Sequence, residues 1–180
     1  MNKPLVSVLM PVYNAGSYLD DAINSVLNQS YTNFELIIVN DGSTDNTEEI
    51  INKYKNEKVQ YFVNPSNIKL IKTLNKGVDL CTGKYIARMD ADDICLPNRI
   101  EKQVDFLEKN TEYVLVGGQC VKINDQGERL KGTSNLSCCH DEILADLLFK
   151  SCPIVHPLVM IRRNILQEFS HFLSRYVLFL

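Results

Sequence analysis

Apolar runs and amphipathic stripes alternate along the first half of the chain. Leu5 to Met10 (LVSVLM) is apolar but for Ser7 and stops at Pro11, as a strand covered on both faces does. After the Pro11-Val12-Tyr13-Asn14 turn and Gly16, the residues Leu19, Ala22, Ile23, Val26 and Leu27 recur at helical spacing, closed by Asn28-Gln29-Ser30. Phe34 to Val39 (FELIIV) predicts a second buried strand running into the turn-rich Asn40-Asp41-Gly42-Ser43-Thr44-Asp45. Asp45 and Glu48 have the spacing of a capping box, opening a helix whose apolar side is Ile50, Ile51 and Tyr54. Val59 to Val63 (VQYFV) predicts a third strand, and Ile71, Leu74 and Val78 a helix that reaches Cys81, with Gly83 as its C-terminal cap. Lys84 to Arg88 predicts a fourth strand. Such alternation specifies a mostly parallel sheet with right-handed crossovers and helices on both faces, an α/β Rossmann-like half.

The pattern loosens beyond residue 90. Pro97 suits a helix start, and Ile100, Val104 and Leu107 give that helix a buried stripe. Tyr113 to Val121 reads as a strand interrupted by Gly117-Gly118, and Asn124-Asp125-Gln126-Gly127 as a hairpin turn. Residues 130–139, rich in Ser and Cys, read as loop. Ile143, Leu144, Leu147 and Leu148 mark a short helix that Ser151-Cys152-Pro153 ends. His156-Pro157 opens another apolar run to Ile161, and Arg162-Arg163 a last helical stretch.

At 180 residues the chain suits one domain, and its 45% hydrophobic and 23% charged residues are those of an ordinary globular protein. A formal net charge of −3 gives no ground for expecting a nucleic-acid partner. None of the six cysteines forms a C-x-x-C pair, so reduced, mostly packed thiols are expected. No run approaches the ~18 apolar residues that span a bilayer, and the start of the chain does not read as a secretory signal. The expected location is cytoplasmic, with room for peripheral association at the inner face of a membrane.

The candidate chemistry gathers in IARMDADDICLP, residues 86–97, where Asp90, Asp92 and Asp93 follow directly on a buried strand. Ligands of open α/β sheets collect at the carboxyl ends of the strands. An Asp-X-Asp pair there offers hard oxygens to Mg²⁺ or Mn²⁺, which commonly bridge carboxylates to substrate phosphates. The other strand ends carry Tyr13 and Asn14, and Asp41. Tyr13 can stack on a flat ring, Pro11 can shape the wall, and Asp41 can accept a hydrogen bond from a base N–H. Together they outline a nucleoside-diphosphate site. The first strand is followed neither by G-x-G-x-x-G nor by a Walker lysine loop, which disfavours dinucleotide cofactors and P-loop chemistry.

The blocks LVSVLMPVYNAGSYLDDAINSVLNQSYTNFELIIVNDGSTDNT and LNKGVDLCTGKYIARMDADDICLPNRIEKQVDFLE, followed by IVHPLVMIRR, resemble the family-two glycosyltransferases of the GT-A fold from about Leu5 to about Ile161. The resemblance implies an inverting, metal-assisted transferase that moves a sugar from a nucleotide-sugar, with a lean to uridine, onto a glycan or lipid-linked acceptor in bacterial surface-polysaccharide synthesis. It implies that Pro11, Tyr13 and Asn14 bind the base, that Asp41 contacts it, and that Asp92 ligates the metal while Asp90 lies toward ribose and phosphate. Asp93 then stands near the donor sugar and His156 on the acceptor side. It divides the chain into a donor half over residues 1–112, a truncated acceptor half over 113–169 and a tail over 170–180. Two departures stand out: Asn40 where many members carry an aspartate, and Lys69 where glycine is frequent. The family's catalytic aspartate, in an acidic pair some tens of residues beyond the HP segment, has no counterpart. Glu168 is the only acid after Arg163 and falls too early, and His171 has only its chemistry to recommend it. The residues therefore support two further readings, a non-catalytic nucleotide-sugar-binding relative and a nucleotidyltransferase. The second would need a basic first loop, which PVYNAGSY is not.

Overall fold

The structure, a computed structural model, describes residues 3–134, 136–149 and 152–168. The tail, with His171, lies outside the described residues. Every residue of β1 (Val6–Val12) and β2 (Phe34–Asn40) is buried, as their unbroken apolar runs require. They pair in parallel from Val6 against Phe34 to Val12 against Asn40. Between them runs α1 (Leu19–Leu27), and α2 (Thr47–Asn52), β3 (Val59–Val63), α3 (Leu70–Leu80) and β4 (Tyr85–Arg88) continue the alternation. Then follow α4 (Arg99–Lys109), β5 (Leu115–Val116), β6 (Val121–Ile123), β7 (Arg129–Thr133), α5 (His140–Phe149), a 3₁₀ turn (His156–Leu158), β8 (Met160–Arg162) and α6 (Arg163–Glu168).

The main sheet has the order β3-β2-β1-β4-β8-β5, with β6 and β7 forming a separate hairpin. The first four strands are parallel; β8 runs antiparallel to both β4 and β5. Because side chains alternate along a strand, each face of the sheet has its own core. Val6, Val8, Met10 and Val12 pack with Leu19, Ile23, Ile51, Ile100, Val104 and Leu107, so α1, α2 and α4 cover one face. Leu9, Ile37, Val39 and Ile86 pack with Leu74, Val78 and Leu166, which puts α3 and α6 on the other.

Several local expectations are corrected. The Asp45 capping box does not form: Asn46 precedes α2 and makes no side-chain cap bond. Asp45 instead accepts the Thr47 N–H (3.1 Å) and the Gly16 N–H (3.0 Å), tying α2 to the loop after β1. Gly83 is not the cap of α3, because Cys81 ends that helix with extended backbone. Gly83 is needed for close approach: a Cβ there would lie 2.7 Å from the Ser7 nitrogen and 2.8 Å from the Leu5 carbonyl oxygen. Pro97 stays outside α4, its carbonyl accepting the Ser30 N–H (2.8 Å). Of the strand expected over residues 113–121 only Leu115–Val116 joins the main sheet, and part of the expected loop at 130–139 is strand β7. The Asn124–Gly127 turn does join a hairpin, with Gly127 at φ +77°. All six cysteines are free thiols; Cys81 and Cys95 are buried, whereas Cys138 and Cys139 are exposed. Among the described residues no helix is long and apolar enough to cross a membrane.

Candidate functional site

From β1 the chain moves outward to β2 and β3, then returns to place β4 on the other side of β1. The strand order therefore reverses between β1 and β4, and a crevice opens beyond their carboxyl ends. Two loops enter it. The first leaves β1 at Tyr13-Asn14-Ala15, and the second leaves β4 at Met89-Asp90-Ala91-Asp92. The Met89 N–H donates to the Leu9 carbonyl (3.0 Å), extending the ladder into the second loop.

Pro11, Tyr13, Asn14, Ala15, Tyr18, Asp90, Ala91 and Asp92 line an open cleft of about 230 Å³. Five of the residues singled out in the sequence (Pro11, Tyr13, Asn14, Asp90 and Asp92) thus meet at one place. Tyr13 keeps 49% of its surface exposed, so its ring face is free to stack. Asn14 takes a left-handed backbone (φ 50°), which asparagine tolerates better than most residues. Its N–H donates to Ser43 Oγ (3.0 Å), and its Oδ1 accepts the Thr44 N–H (2.9 Å). Ala15 N–H donates to Thr47 Oγ1 (3.2 Å). The first loop is thereby stapled to the segment after β2.

Asp41 is placed elsewhere. It is only 3% exposed and does not line the cleft. Oδ1 accepts from Asn64 Nδ2 (2.8 Å) and the Ile68 N–H (2.9 Å), and Oδ2 from the Lys69 N–H (3.0 Å). Burial pushes its carboxyl up, but the hydrogen bonds from Ile68, Asn64, Thr73 and Lys69 outweigh it and leave it below the ordinary carboxylate range. These bonds give Asp41 a structural task, the shaping of the 64–69 loop. Asn40 is likewise engaged, donating to Tyr61 Oη (2.9 Å) and accepting the Ser43 N–H (2.9 Å).

The three neighbouring acids differ in surroundings. Asp92 is exposed, and its carboxylate makes no hydrogen bond or ion pair among the described residues. Asp90 pairs through Oδ1 with Arg88 Nη2. Asp93 is half-buried, and its carboxyl is pushed up by burial first and then by Asp90 and Asp92. Beneath them lie Arg88 and Arg99, the latter donating to the Arg88 carbonyl (2.8 Å). His156 stands beside Arg88, and burial, then that guanidinium, hold its imidazole down at about 4.

This donor set can be tested against the expected divalent ion. Among the described residues no group of three or more His, Cys, Asp or Glu could cage an ion. Mg²⁺ and Mn²⁺ commonly need only one or two carboxylates, completing their shells with water and substrate phosphate. Asp92 and the Oδ2 of Asp90, both without a partner among the described residues and both on residues lining the open cleft, fit that demand. Tyr18, Arg88 and Arg99 were missed in the sequence. A basic residue closing an otherwise buried strand two places before an acid was the available signal for Arg88.

The profile of the glycosyl transferase family 2 matches residues 7–170. The chain belongs to that family. An uncharacterized glycosyltransferase of Haemophilus influenzae is 38% identical over 178 residues, covering 93% of this chain and 54% of that protein. TuaG of Bacillus subtilis, whose name assigns it provisionally to teichuronic acid biosynthesis as a glycosyltransferase, is 37% identical over 118 residues, 64% of this chain and 47% of its own. The chain spans about half the length of these family 2 relatives. Among solved structures, S. aureus TarS in complex with UDP-GlcNAc superposes with a TM-score of 0.66 at 19% identity, covering 92% of this chain and 47% of that one. The mannosyltransferase PcManGT from Pyrobaculum calidifontis, in complex with GDP-Man and Mn²⁺, gives 0.69 at 18%, covering 94% and 48%. These likenesses show the GT-A fold of this family 2 chain.

Proposed function

We propose that this chain forms the donor-binding part of a divalent-metal-dependent glycosyltransferase. It takes a nucleoside-diphosphate sugar, a UDP-sugar by preference, for transfer to a glycan or lipid-linked acceptor in cell-surface polysaccharide synthesis, on the cytoplasmic side of the membrane. The observation that carries this reading is the pairing, at the switch point of the sheet, of an exposed aromatic loop with an unpaired carboxylate. Tyr13 stacks on the base, and Pro11 and Asn14 shape its slot. Asp92 and Asp90 hold Mn²⁺ or Mg²⁺, which when bound neutralises the diphosphate as it leaves. Asp93 supports them from behind. Asp41 acts indirectly, through the loop it shapes. TarS and PcManGT, which hold nucleotide-sugars on the same fold, support the ligand class.

The described residues do not place a general base at the cleft. β8 runs antiparallel to β4, so Arg162 stands opposite Tyr85 at the end of the sheet away from the carboxylates. Helix α6, which carries Glu168, starts from that far end. This favours a division of labour in which the chain holds the donor while proton removal belongs to other residues of the whole protein. Calorimetric titration of UDP and UDP-GlcNAc with and without Mn²⁺ tests the reading. Metal-dependent binding is expected in the native protein, and Asp92→Ala should abolish the metal-dependent part. An unchanged metal effect in that variant removes Asp92 from its role.

A further inference from the structure

Arg88 is the charged side chain most deeply placed at the site, only 6% exposed at the end of a buried strand. Its one ion-pair partner is Asp90, while Nε and Nη1 make no hydrogen bond among the described residues. The other charged or titratable groups that face it are Asp93, Arg99 and His156. Asp93 lies close enough to feel its charge, but no ion pair joins them. Arg99 brings a second positive charge to the same place.

Two consequences follow from this arrangement. Arg88 occupies one oxygen of Asp90 and sets a fixed positive charge beside the place where a cation would sit, which opposes entry of a cation alone. Asp90 also cannot turn wholly toward a cation, because that would strand a buried guanidinium without its counter-charge. An anionic diphosphate reverses the balance. It supplies oxygens that the two carboxylates lack, and its negative charge is attracted by Arg88 as well as by the ion.

We propose that Arg88 is a positioning residue that latches Asp90 and thereby makes the cation enter together with the donor diphosphate rather than ahead of it. The latch rests on the donor-site reading above. It assigns Arg88 no contact with the reacting atoms: the residue acts through Asp90 and sets the coupling between metal and nucleotide.

The test measures Mn²⁺ affinity by the loss of the free-ion paramagnetic resonance signal, with and without saturating UDP, on the full chain. In the native protein Mn²⁺ alone binds weakly and UDP tightens it. Arg88→Gln is expected to bind Mn²⁺ alone about tenfold tighter, with the tightening by UDP reduced to match, since a neighbouring like charge has been removed. Arg88→Lys, which keeps the charge, should stay near the native values. If Arg88→Gln binds Mn²⁺ alone no better than the native protein, the latch is overturned. Should that variant not fold, Asp90→Asn gives the same decision. With the latch, the loss of its carboxylate weakens Mn²⁺ binding mainly when UDP is present; an equal loss in both conditions overturns it. A native protein in which UDP and Mn²⁺ do not assist each other removes the donor-site reading itself, and the latch with it.

Discussion

Replacing Lys69 by glycine should make the protein more stable. Lys69 precedes α3 with φ 75° and ψ 156°, a region of backbone space that is essentially reserved for glycine. A side chain held there costs about 1–3 kcal/mol. The strain is sustained by the hydrogen bonds around it. The Lys69 N–H donates to Asp41 Oδ2 (3.0 Å) and to Asn67 Oδ1 (3.1 Å), and the neighbouring Ile68 N–H is held by the same aspartate. The Lys69 ammonium, by contrast, is exposed and makes no hydrogen bond or ion pair among the described residues. Glycine removes the strain but frees the unfolded chain, which costs about 0.4–1 kcal/mol. The difference leaves a net gain of about 1 kcal/mol, or roughly 2–4 °C in Tm for a chain of this size. Thermal and urea unfolding followed by circular dichroism, with Lys69→Ala as control, would measure it. Alanine keeps the Cβ and hence the strain, so it should stay near the native value. A Lys69→Gly protein no more stable than native, or an alanine variant that gains as much, would refute the backbone argument.

Gly83→Ala should act in the opposite direction. Its Cβ would press on backbone atoms of Leu5 and Ser7, which cannot swing aside, so a loss of about 2 kcal/mol or more is expected in urea unfolding; a change within half a kcal/mol (roughly the scatter of a surface substitution) would mean that β1 yields there. His156 supplies a pH dependence. Its folded pKa of about 4 lies below the unfolded value of about 6.5, so between those pH values only the unfolded chain binds the proton. The contribution is fully present above the unfolded value and is lost as pH falls toward the folded one. His156→Gln should flatten that part of the profile, and an imidazole resonance titrating near its ordinary value in the native protein would contradict the burial argument.

The donor-side architecture was legible because its signals are local. FELIIV can only be a strand covered twice, and the stripe from Leu19 to Leu27 only a helix lying on it. What escaped depends on partners far along the chain. Asp41 and Asp90 look alike in sequence, each an acid at a strand end. Asn64 and the N–H groups of Ile68 and Lys69 turn the first inward, and nothing near Asp41 announces them. The insertion of β8 between β4 and β5 rests on pairs such as Ile86 with Ile161, too distant for any periodicity to show. β7 was missed because its RLKGT pairs only within an exposed hairpin and has no apolar face to bury.

The two loops that form the cleft leave adjacent strands of one sheet, joined by a ladder that sets Leu9 against Arg88 and ends with the Met89 N–H bonded to Leu9. Jaws mounted this way have no hinge between them: widening the gap would mean tearing the middle of the sheet. Whatever this crevice accommodates, it must do so by rearranging the few residues at the tips of its loops, while the spacing of its floor stays constant across every ligand it meets.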